Sequence, residues 1–179
     1  LPEVDGILGS RPSPVRRFAL AGGLVGCAAG WALTTGSVAH YPIIVAHFNH
    51  KLRENSDMEA TAVENMAARL GIPSLVESGD VRAFADEKKL SIEDAARTLR
   101  YRFLFAQARE RGAQAVAVGH TADDQVETIL MHFLRGAGMT GLKGMTYRTV
   151  FSVFDVEIPL VRPLLDIWRE ETIVYCAGQ

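Results

Sequence analysis

The sequence predicts an α/β fold, a parallel twisted sheet flanked by helices, and three observations carry that expectation. Two short apolar runs, Ile43-Ile44-Val45-Ala46 and Ala115-Val116-Ala117-Val118, have the length and lack of polar residues expected of strands covered on both faces. Segments of helical period separate them, so the connections are long enough for right-handed crossovers between parallel strands. Each run ends directly in a polar cluster, His47 to Arg53 and Gly119 to Thr128. Such sheets bind ligands beyond the carboxyl ends of their strands, near the point where strand order reverses. Both clusters are therefore expected to face one crevice.

The remaining elements follow in order. From Ser56 to Leu70, Met58, Ala62, Met66 and Leu70 recur at helical spacing, and Gly71 and Pro73 supply the stop. Ser74 to Val76 reads as a short strand and Val81 to Lys88 as a helix. Ser91 is placed to cap a helix from about Ile92 to Arg111, with Asp94 favouring the positive end of its dipole. Ala95, Leu99, Phe103 and Ala106 mark its expected core face, and Gly112 closes it. Asp123 to Leu134 reads as another helix. Gly136, Gly138, Gly141 and Gly144 then make a loop, Phe151 to Ile158 alternates like an edge strand, and Asp166 is placed to cap a last helix.

With 179 residues, 48% hydrophobic and 22% charged, the chain fits a single domain with a substantial core. Its net charge of −2 leaves no overall footprint for nucleic acid, so RNA contact needs a local basic patch or a further domain. Cys27 and Cys176 form neither a disulfide framework nor a CxxC pair, which fits a reducing, cytoplasmic compartment. Arg16-Arg17 before the charge-free stretch Phe18 to Ala39 superficially resembles a secretory signal. Five glycines and two threonines make that stretch too weakly apolar for a membrane span, and no membrane association is expected. Leu at the first position and Cys176-Ala177-Gly178-Gln179 at the last suggest a fragment.

The polar clusters carry a resemblance. His47-Phe48-Asn49-His50-Lys51-Leu52-Arg53 and Gly119-His120-Thr121-Ala122-Asp123-Asp124-Gln125-Val126-Glu127-Thr128 resemble two ordered elements of the tRNA(Ile)-lysidine synthases, a PP-loop family. Ser91 to Arg97 with Arg100-Tyr101, Leu134 to Gly138, and Arg162-Pro163-Leu164-Leu165-Asp166 fall in the same order, so the resemblance covers roughly residues 40 to 175. It implies an adenine nucleotide alpha-hydrolase-like, Rossmann-like sheet. The implied chemistry uses ATP and Mg2+ to adenylate the C2 oxygen of the wobble cytidine of tRNA(Ile) bearing a CAU anticodon. L-lysine then displaces AMP to form lysidine. Implied tRNA-binding domains lie beyond this chain, and a homodimer is one expected assembly.

Within the motifs, attack at the α-phosphate builds charge on pyrophosphate, which cations must neutralise. His120, Asp123, Asp124 and Arg97 are the expected catalytic residues, with Asp123 and Asp124 as metal ligands. Ala21, Gly22, Gly23, Leu24, Val25, Gly26, Ala46, His47, Asn49, Arg100 and Gly119 are expected around the nucleotide. His50, Arg53, Glu127, Thr128 and Arg135 are expected to meet the other substrates. Taken singly, Asp123-Asp124 equally suits a helix cap, and Arg97 with Arg100 equally suits a solvated face paired with Glu93 or Asp94. The ordered set after strand ends is what favours the functional reading.

One stretch departs from the family. Its SGGxDS pyrophosphate loop aligns with Ala21-Gly22-Gly23-Leu24-Val25-Gly26, which keeps two glycines and loses both hydroxyls and the carboxylate. Gly26 and Gly30 each cost a following helix roughly 1 kcal/mol relative to Ala. Residues 1 to 40 are thus expected to be aberrant or degenerate, and a reading-frame slip accounts for Gly26-Cys27-Ala28-Ala29. The alternatives are a catalytically impaired nucleotide- or RNA-binding relative and another PP-loop tRNA-modifying enzyme. A thiolase fits less well, since paired cysteines are absent.

Overall fold

The computed structural model describes residues 18–21, 43–138 and 142–177. Five parallel strands and one antiparallel edge strand, β5, form a single sheet: β1 (Phe18–Ala21), β2 (Ile43–Asn49), β3 (Ser74–Ser78), β4 (Ala115–Ala117), β5 (Arg148–Thr149) and β6 (Leu160–Val161). Their order is β3-β2-β1-β4-β6-β5, with every neighbouring pair parallel except β5 with β6. The chain runs outwards from β1 through β2 to β3, then returns to lay β4 on the other side of β1. Strand order therefore reverses between β1 and β4, the position expected of a binding crevice.

Five helices complete the described fold: α1 (Ser56–Arg69), α2 (Val81–Lys88), α3 (Ile92–Glu110), α4 (Ala122–Leu134) and α5 (Arg169–Ala177). Strand parity divides the core. Ala46, Phe48, Val116 and Val118 face α3, where Tyr101, Leu104 and Phe105 complete the larger cluster. Val45 faces α1 and packs with Val63 and Ala67.

The buried face of α1 differs from the expected one. Ala60, Val63 and Ala67 are buried, whereas Met58 is 70% exposed and Leu70 lies outside the helix. Small side chains let the helix sit close to the sheet, and the larger methionine fell on the outer side of the same wheel. On α3, Ala95, Leu99 and Phe103 do face inwards, but Ala106 is exposed while Tyr101, Leu104, Phe105 and Ala108 are buried. This helix is covered on two sides, so a single stripe underestimates its contact face.

Start and stop chemistry acts largely as expected. Ser91 Oγ accepts the Asp94 N–H at 3.0 Å. Gly112 takes φ +64 and its N–H and that of Ala113 bond the carbonyls of Arg109 and Ala108, closing α3 with a left-handed cap.

Two expectations beyond residue 150 fail. Phe151 to Ile158 is a compact turn region rather than a strand. The N–H groups of Phe154 and Asp155 bond the Phe151 carbonyl, and Asp155 Oδ1 accepts the N–H of Glu157 and Ile158. Those local bonds compete with a sheet ladder. Phe151 and Phe154 instead stack on Tyr101 and Phe105 of α3. Nor does Asp166 cap the last helix, since it accepts the Tyr147 hydroxyl. The start of α5 is capped by Glu171, which accepts the Trp168 N–H, and by Asp123, which accepts the Arg169 N–H.

No helix among the described residues is long and apolar enough to cross a membrane.

Candidate active site at the strand ends

Parallel pairing of β1 with both β2 and β4, Ala21 opposite Ala46 and Leu20 opposite Ala117, aims three carboxyl ends at one sheet edge. His47 lies near the carboxyl end of β2 and His120 follows β4 at that same edge, their strands separated by two spacings, roughly 10 Å. The two clusters open on one side.

At the β2 tip, Asn49 is buried with both ends of its amide engaged. Nδ2 donates to Asp57 Oδ1 at 2.6 Å and Oδ1 accepts the Lys51 N–H at 2.9 Å. This Asx turn holds Lys51 at φ +50 and sends the chain into α1. Asn49 thus shapes the loop rather than offering a free polar group to a ligand. The turn encloses a cavity of about 230 Å³ lined by His47, Phe48, His50, Leu52, Arg53 and Glu59, among others. The His50 ring lies 5.2 Å from Phe48, and its buried Nδ1 has no hydrogen-bond partner. Burial first, then the charges of Arg100 and His47, push its pKa down to about 4, so the ring is neutral near pH 7.

At the β4 tip, Gly119 and His120 are half-buried and Thr121 is buried at the start of α4. Asp124 Oδ2 accepts the Thr121 N–H at 2.7 Å and its hydroxyl at 2.9 Å, so the cap role anticipated for this acidic pair is real. Asp123 Oδ2 accepts the Arg169 N–H at 2.7 Å, and the Arg169 guanidinium lies 3.3 Å from Asp124 Oδ1. The amino ends of α4 and α5 meet over these two carboxylates. Among the described residues no group of three or more His, Cys, Asp or Glu is arranged to hold a metal ion.

His120 Nδ1 faces Arg162 Nε at 3.2 Å. Burial and the Arg162 charge lower the His120 pKa to about 4, against an opposing pull from Asp124, with Arg100 and Arg97 adding to the lowering. Arg100 thus acts electrostatically on both His50 and His120. That shared charge links the two tips across β1.

Arg97, exposed, and Arg100, half-buried, each hold the guanidinium carbon 5.4 Å from the Tyr101 ring centre. Neither pairs with Glu93 or Asp94, and among the described residues no carboxylate comes within ion-pair distance of Arg97, Arg100 or Arg162. The Tyr101 hydroxyl is buried without a partner. The crevice therefore offers uncompensated positive charge beside neutral imidazoles, the electrostatics of an anion site.

Other expected residues are distributed less tightly. The Ala46 side chain is wholly buried against α3, leaving only its backbone available to a ligand. Arg53 is an exposed rim residue of the cavity. Glu127 is exposed on α4, and Thr128 donates its hydroxyl to the Asp124 carbonyl at 2.8 Å. Arg135 caps the far end of α4, roughly 20 Å from its start at 1.5 Å per residue, and does not join the crevice. Ala21 ends β1, while Gly22, Gly23, Leu24, Val25 and Gly26 lie outside the described residues. Arg162, Tyr101 and Arg169 were not singled out as site residues. Arg162 immediately follows β6, whose two residues carry no readable period, so the available signal was its place in the Arg162-Pro163-Leu164-Leu165-Asp166 motif.

The chain matches the model of the PP-loop domain over residues 8–179. It is 44% identical over 140 residues to the tRNA(Ile)-lysidine synthase of Dehalococcoides mccartyi, covering 76% of this chain and 29% of that protein. It is 37% identical over 166 residues to the enzyme of the same name from Geobacter sulfurreducens, covering 92% of this chain and 34% of the relative. The chain thus spans about a third of the length of these relatives. In fold it is similar to the U34-tRNA thiolase NcsA of Methanococcus maripaludis, with a TM-score of 0.72 at 15% identity, covering 96% of this chain and 60% of that one. It is also similar to the NH3-dependent NAD synthetase of Campylobacter jejuni, with a TM-score of 0.55 at 9% identity, covering 92% and 63%. Agreement between strand-end geometry and a family match along nearly the whole chain establishes that the protein belongs to the PP-loop domain family.

Proposed function

We propose that this chain is the catalytic domain of a cytoplasmic tRNA(Ile)-lysidine synthase. The observation that carries the reading is the shared crevice, with two polar tips flanking β1 and a cationic cluster reaching both. The names of its relatives support lysidine formation on tRNA(Ile), and the steps are those the family resemblance implies. The C2 oxygen of a wobble cytidine attacks the α-phosphorus of ATP, the α–β bridging bond breaks and pyrophosphate leaves. An amine of L-lysine then attacks C2, and AMP departs with the oxygen.

Arg97 and Arg100 are suited to the phosphate oxygens, since among the described residues no carboxylate pairs with their charge. The cavity at His47, His50 and Arg53 offers apolar wall and neutral imidazole, suited to a base or amino-acid stem. Asp123 and Asp124 fit Mg2+, which takes one or two carboxylates together with waters and substrate phosphates. When bound, Mg2+ supplies neutralisation of the pyrophosphate charge. To reach it, both aspartates must loosen their hold on Arg169.

The test is release of AMP and pyrophosphate by the full-length protein with ATP, L-lysine and a tRNA(Ile) transcript carrying CAU. Release that depends on both lysine and that anticodon supports the reading. ATP binding without release, in the presence of both, refutes it in favour of the impaired relative suggested by Ala21 to Gly26. A homodimer is tested by the mass of the particle in solution.

A further inference from the structure

Arg162 is a buried cation with no acidic partner among the described residues, and its placement is over-determined. Its side chain is held by Nη1, which donates to the Thr146 carbonyl at 2.7 Å and the Thr149 hydroxyl at 2.9 Å, while its own N–H bonds the Tyr147 carbonyl. The β4 to β6 register, Val116 opposite Leu160 and Ala117 opposite Val161, sets it beside His120. Nε then points at His120 Nδ1 from 3.2 Å.

A guanidinium has donors only and does not give up its proton in a protein, so Nδ1 must be the acceptor in this pair. A neutral imidazole that accepts through Nδ1 carries its proton on Nε2. An imidazolium, or the other tautomer, would aim an N–H at the guanidinium and leave both donors unsatisfied. We propose that Arg162 is a positioning residue that holds His120 as the neutral, Nε2-protonated imidazole, leaving Nε2–H as the donor available to an anionic oxygen in the crevice. Its role for the reaction rests on the proposed function. The tautomer does not, so the two fail separately.

The competing view makes Arg162 a staple that merely ties β6 to the segment around β5. Ring-nitrogen NMR of the full-length protein at pH 7 separates the two. The expected wild-type signals are an unprotonated Nδ1 and a protonated Nε2 for His120, and a protonated Nδ1 overturns the proposal. Thr149→Val weakens the staple and is expected to destabilise the fold while leaving the tautomer intact. Arg162→Ala is expected to give a mixture of tautomers and to slow AMP release roughly tenfold to a hundredfold, with KM for ATP within about twofold. Arg162→Lys, which keeps the charge without the planar fork, is expected to fall between. If the Ala variant does not fold, the wild-type spectrum decides. A single Nε2-protonated form persisting in Arg162→Ala overturns the proposal.

Discussion

The two strand tips of the crevice use similar polar residues to different ends. At the β2 tip, Asn49 locks a turn around a cavity, and His50 Nδ1 is left buried without a partner. At the β4 tip, Asp123 and Asp124 already hold protein groups, the Thr121 cap and the head of α5. The first tip is preformed for an occupant. Under the proposed function the second would exchange protein partners for ligand, its carboxylates serving structure and chemistry at once, and substitutions there should separate the two roles.

The largest separation is expected at Asp123. Asp123→Asn keeps an oxygen that can accept the Arg169 N–H but removes the charge a divalent cation requires. A drop of roughly a hundredfold to a thousandfold in pyrophosphate release is expected, with thermal stability nearly unchanged. Equal loss of fold and rate would reduce Asp123 to a helix cap.

Arg100 joins the tips, and its removal should affect them unequally. At His50 its charge is second only to burial in lowering the pKa, whereas at His120 both burial and the Arg162 charge outweigh it. In Arg100→Met, NMR titration should show His50 rising further than His120, and AMP release falling by roughly tenfold to a hundredfold. A larger rise at His120 would place Arg100 differently from the present geometry.

Asn49→Ala tests the preformed tip. It leaves the Lys51 N–H and one Asp57 oxygen without partners at a part-buried turn, with an expected cost of about 1–2 kcal/mol in denaturant unfolding. Activity loss beyond what that destabilisation explains would return Asn49 to direct ligand contact.

Much of this contrast was legible in the residues, for physical reasons that also mark where legibility stops. Ile43 to Ala46 and Ala115 to Val118 announce themselves because strands covered on both faces tolerate almost nothing polar. Ser91 and Gly112 announce α3 because orphan backbone groups at helix ends need specific partners. The β6 strand, two residues between prolines, carries no period to detect, so Arg162 was visible only as part of a motif. Phe151 to Ile158 misleads because Phe154, Val156 and Ile158 alternate with polar residues yet belong to a turn whose bonds come from Asp155. At the site, residue order placed His120 just after a strand end. It could not show that Arg162 faces His120 or that Arg169 occupies the acidic pair, since both are long-range contacts.

Acid should expose the two tips together, with the smallest effect and the simplest sign. His50 and His120 have folded pKa values of about 4 against 6.5 in an ordinary environment. As pH falls, the unfolded chain therefore takes up these protons first, and each proton favours unfolding. The stability that the neutral rings contribute is whole above about 6.5 and is lost progressively down to about 4. Melting temperature against pH should decline across that window, before most carboxylates titrate. His50→Gln should flatten the upper part of the decline, because its ring is neutral through burial in its apolar wall. In His120→Gln the slope should also lessen, but the absolute melting temperature should drop, since Gln must still accept from Arg162 with a shorter reach. An unchanged slope in both variants would mean that neither ring is held neutral by the crevice.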